Sequence, residues 1–175
     1  MYGHEYTCDR CNHTGTYISV AIGYYRLADG TELLHFTQPA WCNECATLRE
    51  AERLPEPDRL KQSVKELESA GLSENDLKYT RLTGESPDEL LHRRLANLRA
   101  KVRWRVGRQS PPRCLHCESV NLLFLAPNIT DTLKSFRHPG CGGTFTQTSW
   151  WHASQANFLR LDAEGRHFID ESSSR

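Results

Sequence analysis

Six of the seven cysteines in this chain fall into three pairs of identical spacing, Cys8/Cys11, Cys42/Cys45 and Cys114/Cys117. A Cys-x-x-Cys turn presents two thiolates from one tight loop, and its backbone amides can stabilise the sulfur charge. Two such turns supply the four ligands of a tetrahedral metal site. The seventh cysteine follows a histidine at the same interval, in His138-Pro139-Gly140-Cys141. Imidazole can replace one thiolate, which makes this a fourth turn of the same kind. Gly140, Gly142 and Gly143 surround it, and glycines let backbone curl closely around an ion.

Taken in chain order, the turns pair as neighbours. Cys8, Cys11, Cys42 and Cys45 are expected to form one site of four cysteines, with Cys114, Cys117, His138 and Cys141 forming a second of three cysteines and one histidine. Between the first two turns lie 30 residues, a length suited to two strands and their reversal. His116, inside the third turn, and His152, downstream, are the alternatives to His138. Eight ligands predict two ions per chain, with zinc expected and iron the competing metal for such thiolate sets.

These paired turns resemble those of zinc-ribbon proteins. The resemblance covers the segments around 1–47 and 110–175 and leaves the middle of the chain unexplained. It implies metal sites and small antiparallel sheets around them. It implies no single activity, because ribbons serve in transcription factors, ribosomal proteins, nucleic-acid enzymes and protein adaptors alike.

The elements that must hold the turns follow from local pattern. Between the first two turns, Thr16 to Leu27 and Glu32 to Phe36 are strand-forming runs separated by Ala28-Asp29-Gly30-Thr31, and Asp-Gly is a hairpin signal. Residues 48–109 then change to charged, helix-favouring sequence without cysteine. Pro55 and Pro57 are expected to break a first helix, before Pro55, from a second running from about Asp58 to Ala70 and stopped by Gly71, and a short helix follows from Ser73 to about Gly84. The best-marked helix begins at Ser86-Pro87-Asp88-Glu89, which has an N-cap serine, a proline at the first helical position and a glutamate three residues after the cap. Along it Leu91, Leu95, Leu98, Val102 and Val106 make one apolar stripe ending near Gly107. Beyond Ser110-Pro111-Pro112 the sequence returns to β-type runs at Val120 to Leu125 and Thr144 to Thr148, with a terminal hairpin at Phe158 to Leu161 and Arg166 to Ile169. Asn128-Ile129-Thr130 reads as a turn and Glu171 to Arg175 as a frayed tail.

The expected fold is therefore α+β. Two small antiparallel-β zinc ribbons, residues 1–47 and 110–175, are joined by a helical connector, 48–109. Of the adjacent Trp150 and Trp151, one should be buried and one exposed, since neighbouring strand residues face opposite ways.

Composition narrows the function classes. Lys and Arg total 22, as do Asp and Glu, and the pI is near 7.1, so no chain-wide field attracts a polyanion. No run approaches the roughly 18 apolar residues of a membrane span. Glu5, Asp9 and Arg10 interrupt any apolar leader, and the odd cysteine count argues against a disulfide framework. A reducing, cytoplasmic setting is expected.

No enzymatic pattern fits. A zinc nucleobase deaminase needs His-x-Glu upstream of Pro-Cys-x-x-Cys, whereas the only His-x-Glu here is His116-Cys117-Glu118, within the last cysteine pair. A thioredoxin-like motif would open a helix in a βαβ unit, and these pairs flank hairpins. A catalytic zinc keeps a position open to water, and four protein ligands close both sites. We therefore expect a non-catalytic protein acting as a protein-interaction adaptor, with another protein as partner and no membrane contact. The alternative is a DNA- or RNA-binding accessory factor. Between Leu91 and Cys117 stand eight Lys/Arg residues and no acid until Glu118, and within the Arg93 to Arg113 segment Arg94, Lys101, Arg105 and Arg108 line one helix flank beside Trp104. Arginine forks match phosphate geometry and indole stacks on bases. An unbroken positive stripe would favour nucleic acid, and internally paired charges would favour the adaptor.

Overall fold

The computed structural model describes residues 2–19, 22–125, 133–152 and 159–168. They form a mixed α+β protein of two units: residues 1–54 with 110–175, and residues 55–109. The two outer segments of the chain thus build one unit together. The expected pair of independent terminal ribbons is replaced by a single body into which the helical segment is inserted.

The reason is strand pairing between the ends of the chain. In the first sheet β1 (Tyr2–Cys8) lies between β2 (Thr14–Ser19) and β8 (Thr144–His152), and β7 (Ser135–Arg137) follows on the far side of β8, all antiparallel. β1 pairs along its whole length with β8, from Tyr2 opposite His152 to Cys8 opposite Phe145. A strand of the first block and a strand of the last are therefore hydrogen-bonded neighbours.

The second sheet is built on β4 (Glu32–Cys42), eleven residues long. Its first half pairs with β3 (Ile22–Arg26) across the Asp29-Gly30 reversal, where Gly30 takes the positive φ of 81° that the turn demands. Its second half pairs with β6 (Leu122–Phe124) and with β5 (Thr47–Arg53), so the start of the expected helical connector, before Pro55, is a strand because β4 supplies it with a hydrogen-bonding edge. The expected hairpin is present, but the long first run is divided. Its beginning, β2, belongs to the first sheet and its end, β3, to the second. β9 (Leu159–Asp162) adds to β3 in parallel, with Leu161 opposite His167 across a turn at Gly165. Phe158, Ile169, the Asn128 turn and the Glu171 tail lie outside the described residues.

Between the sheets sits the main core, Tyr6, Cys8, Tyr17, Trp41, Leu48, Leu133 and Phe145. Tyr6 keeps its hydroxyl satisfied by donating to the Leu133 carbonyl at 2.6 Å, and burial raises its pKa to about 12. At the far end of β8 the expected burial of one tryptophan is not met. Trp150 and Trp151 are 59% and 39% exposed, because β7 reaches only Thr144 to Thr146 and leaves that end of β8 paired with β1 alone among the described residues. Trp151 lies across Gly3, where any Cβ would stand 2.1 Å from the indole.

The inserted unit is three helices, α1 (Pro57–Ala70), α2 (Glu74–Thr83) and α3 (Pro87–Gly107). Their ends follow the local signals. Ser73 and Ser86 each accept from the third helical amide while Asp76 and Glu89 reach back to the cap, and Gly84 ends α2 in the left-handed region. The apolar stripe of α3 is less covered than expected. Leu91, Leu95, Leu98 and Val102 are half-buried and Val106 is exposed, whereas Leu90, Ala100 and Trp104 are buried. At about 100° per residue those three fall on a different side of the helix, and Lys101 and Arg108 fall beside them. The side taken for a solvated basic flank is in part the covered one.

Candidate metal centres

Each ligand turn is built the same way. The residue after the second ligand is in the left-handed region in all four: Asn12 (φ 56°), Ala46 (51°), Glu118 (61°) and Gly142 (72°). Among the described residues the first three are the only non-glycines with positive φ. This conformation folds the chain back so that the residue five places after the first ligand pairs with it. The amides of Cys8, Cys114 and His138 donate to the carbonyls of His13, Ser119 and Gly143, and Cys42 stands opposite Thr47. A second bond closes three of the turns, from the amides of Asn12, Glu118 and Gly142 to the carbonyls of Cys8, Cys114 and His138. Three non-glycine residues held where L-residues cost about 1–2 kcal/mol show that the surroundings fix these turns.

The four turns meet in two clusters. Cys8, Cys11, His138 and Cys141 form one, Cys42, Cys45, Cys114 and Cys117 the other, and the donor atoms of each lie within 4.8 Å of one another. All eight expected ligand residues fall in the two clusters, and the histidine among them is His138, with neither His116 nor His152. The expected pairing of turns is wrong: the first turn joins the fourth and the second joins the third. Strand pairing explains the exchange. β1 ends at Cys8 beside Phe145 of β8, which carries the fourth turn to it. The third turn is held against β5 by the Arg113 carbonyl accepting from Glu52, the Leu115 amide donating to Glu50, and Ala51 opposite Cys114.

The spacing within the clusters suits a tetrahedral ion. In the Cys8 cluster, Cys8 Sγ and Cys11 Sγ each stand 3.5 Å from Cys141 Sγ, and His138 Nδ1 stands 3.3 Å from Cys11 Sγ and 3.1 Å from Cys141 Sγ. Cys42 Sγ and Cys117 Sγ are 3.5 Å apart in the other. Metal–sulfur bonds of ~2.3 Å in a tetrahedron give sulfur–sulfur edges of about 3.8 Å. The contacts are far too long for disulfides. In every turn the first ligand is buried, and the second is half-buried or exposed. Cys8 and Cys42 end strands inside the sheets, and their partners sit at the tips of the turns.

Electrostatics point the same way. Burial by itself would raise the Cys8 thiol, but the amides of Arg10 and Cys11 and the contacts of His138 and Cys141 hold it down to about 6. In the other cluster burial, then the neighbouring Cys117 and Cys42 thiols, push Cys45 up to about 12, and burial raises Cys114 to about 11. Thiols this crowded resist ionising together. A divalent cation among them reverses that repulsion and stabilises every thiolate. Each cluster could hold one metal ion.

Two further features seat the Cys8 cluster. Asp9 accepts from the Thr144 amide through Oδ1 and donates its own amide to the Thr144 carbonyl, and Arg10 donates to the Cys141 carbonyl. Gly143 passes so close that a Cβ would stand 2.7–2.8 Å from Arg10 Cβ, Asp9 Oδ1 and Cys8 Sγ. His138 is 6% exposed, with its ring 4.8 Å from that of Trp41 and 4.7 Å from that of Phe145.

The candidate contact residues of the basic segment are largely engaged within the helical unit. Arg94 pairs with Asp76, and its neighbours Arg93 and Arg99 pair with Glu85 and Glu68. Arg105 donates to the Pro55 carbonyl at 3.0 Å. Arg108 is buried and sits over the buried Trp104 ring, and Lys101 is half-buried, with its pKa lowered by desolvation. None of the helices among the described residues is long and apolar enough to cross a membrane. Comparison of the chain with protein-family models, with curated proteins and with solved structures finds no match.

Proposed function

We propose that this chain is a non-catalytic zinc protein, carrying one structural zinc in each cluster and acting as an interaction adaptor for another protein. Zinc is the metal favoured by four thiolate or thiolate–imidazole ligands in a tetrahedron, and four protein ligands leave no position for water or substrate. The observation that carries the choice of partner is the internal pairing of the Arg93 to Arg113 segment. Guanidiniums already met by Asp76, Glu85, Glu68 and a backbone carbonyl favour internal pairing over phosphate contact. Exposed apolar side chains are left for protein contact instead, among them Leu82, Val120, Leu123 and Trp150.

A pull-down from native lysate with and without nuclease, paired with elemental analysis, tests both halves. The expectation is two zinc ions per chain and partners that survive nuclease. Iron in place of zinc would change the metal assignment alone. Salt-dependent binding of mixed-sequence DNA or RNA at physiological salt, abolished by replacing Arg94, Lys101 and Arg105 together, would make this a nucleic-acid-binding protein.

A further inference from the structure

The two clusters are separate in their ligands but share a wall. Trp41 immediately precedes Cys42, a ligand of one cluster, while its indole packs at 4.8 Å on the ring of His138, a ligand of the other. His13 makes a second bridge. It closes the turn of Cys8 and Cys11 by accepting from the Cys8 amide, and its Nε2 lies 3.3 Å from the Oγ1 of Thr47, the residue opposite Cys42. The His13 ring also faces Trp41 at 6.0 Å, His138 at 5.6 Å and Phe145 at 5.9 Å. Directly beneath, Gly15 of β2 approaches β5 so closely that a Cβ would meet that of Leu48 at 3.0 Å, and the Ile18 amide donates to Glu50 at 2.7 Å.

A ligand turn cannot relax alone in this arrangement. If the Cys42 turn opens, Trp41 and Thr47 move, and with them the packing that sets the His138 ring and the bond that orients His13. Close-packed cores transmit such shifts because they have no slack to absorb them. We propose that the two clusters hold their ions as a coupled pair, with Trp41 and His13 as the positioning residues that join them. This rests on the reading of both clusters as metal sites.

The test loads the full chain with cobalt(II) and follows transfer of the ion to an excess of chelator. Tetrahedral cobalt absorbs differently in a four-thiolate site and in a three-thiolate, one-imidazole site, so each cluster is read separately. Cys45→Ser should speed cobalt release from the Cys8 cluster, which it does not touch, by about tenfold. Trp41→Ala should do the same, Trp41→Phe should restore most of the retention, and Cys45→Ser added to Trp41→Ala should gain no more than about twofold over the larger single effect. Thr47→Val keeps all eight ligands and should release cobalt faster from the Cys8 cluster, which keeps the idea testable if Cys45→Ser does not fold. Release from the Cys8 cluster unchanged by Thr47→Val and Trp41→Ala, or effects that multiply, would overturn the coupling while leaving two independent metal sites. A chain that takes up no cobalt at all would overturn the metal reading itself.

Discussion

The two units of this chain solve the problem of a small core by different means. The inserted helices rely on information close in sequence: serine caps, a left-handed glycine, and ion pairs such as Arg93 with Glu85. The two-sheet unit relies on groups more than a hundred residues apart, Cys8 with Cys141 and Tyr6 with Leu133, and on ligand turns that hold non-glycine residues at positive φ. One unit is specified turn by turn, the other by which distant turn meets which. The first kind of information should survive local damage, and the second should fail as a whole.

The sharpest way to break the comparison is to remove a buried ligand residue that ends a strand, in contrast to the half-buried Cys45 at the tip of its turn. On the proposed reading Cys42→Ser should unfold the two-sheet unit, because a structural metal ion supplies on the order of 10 kcal/mol of folding free energy, while most helical circular dichroism persists. Protease resistance and the near-ultraviolet signal of Trp41 would follow the sheets. Joint collapse of both signals would show that the helices have no stability of their own.

A smaller effect is expected from acid on the helical side. The Ser73 hydroxyl and amide and the Arg94 guanidinium hold the Asp76 carboxyl below its ordinary range. A depressed folded pKa gives stability that is complete above the unfolded value, about 3.9, and is lost as the pH falls through the lower folded value. The helical unit should therefore weaken below about pH 4, and Asp76→Asn should remove that part of the acid sensitivity while lowering stability at neutral pH. Thermal melts of the two chains across that range would check it, and identical acid profiles would count against the cap as the source.

The smallest effect tests the strain in the turns. Ala46→Gly should raise stability by about 1 kcal/mol, because glycine adopts φ near 51° without the left-handed penalty. A denaturation midpoint that does not rise would mean the turn relaxes to accommodate alanine.

What the sequence revealed and what it hid follow the same division. The Ser86-Pro87-Asp88-Glu89 start, the Gly84 stop and the Asp29-Gly30 reversal are decided by residues in contact with their neighbours, so each was legible. The eight residues of the two clusters were legible too, because spacing within a turn is local. The exchange of partners between turns was not, since it depends on β1 choosing β8, and nothing in Tyr2 to Cys8 names its partner strand. The break that sends Thr14–Ser19 and Ile22–Arg26 to different sheets was hidden for the same reason: a run of β-formers shows no seam where neighbouring chain is supplied from afar. On α3 the apolar stripe misjudged the covered side because the aliphatic stems of Lys101 and Arg108 can lie against a core while Val106 faces water.

The nesting of the clusters also sets an order in time. The Cys42 cluster is complete once Cys117 exists, but the Cys8 cluster must wait for Cys141, and β1, which can pair early with β2, must wait for β8 on its other edge. During synthesis, at about 5–20 residues per second, Cys8 and Cys11 stay without their partners until His138 and Cys141 are made, while the helices, whose contacts are local, can already form. Pairings of such high sequence separation are slow. The nascent chain would therefore close from the inside outward, the Cys42 cluster first and the pairing of β1 with β8 last.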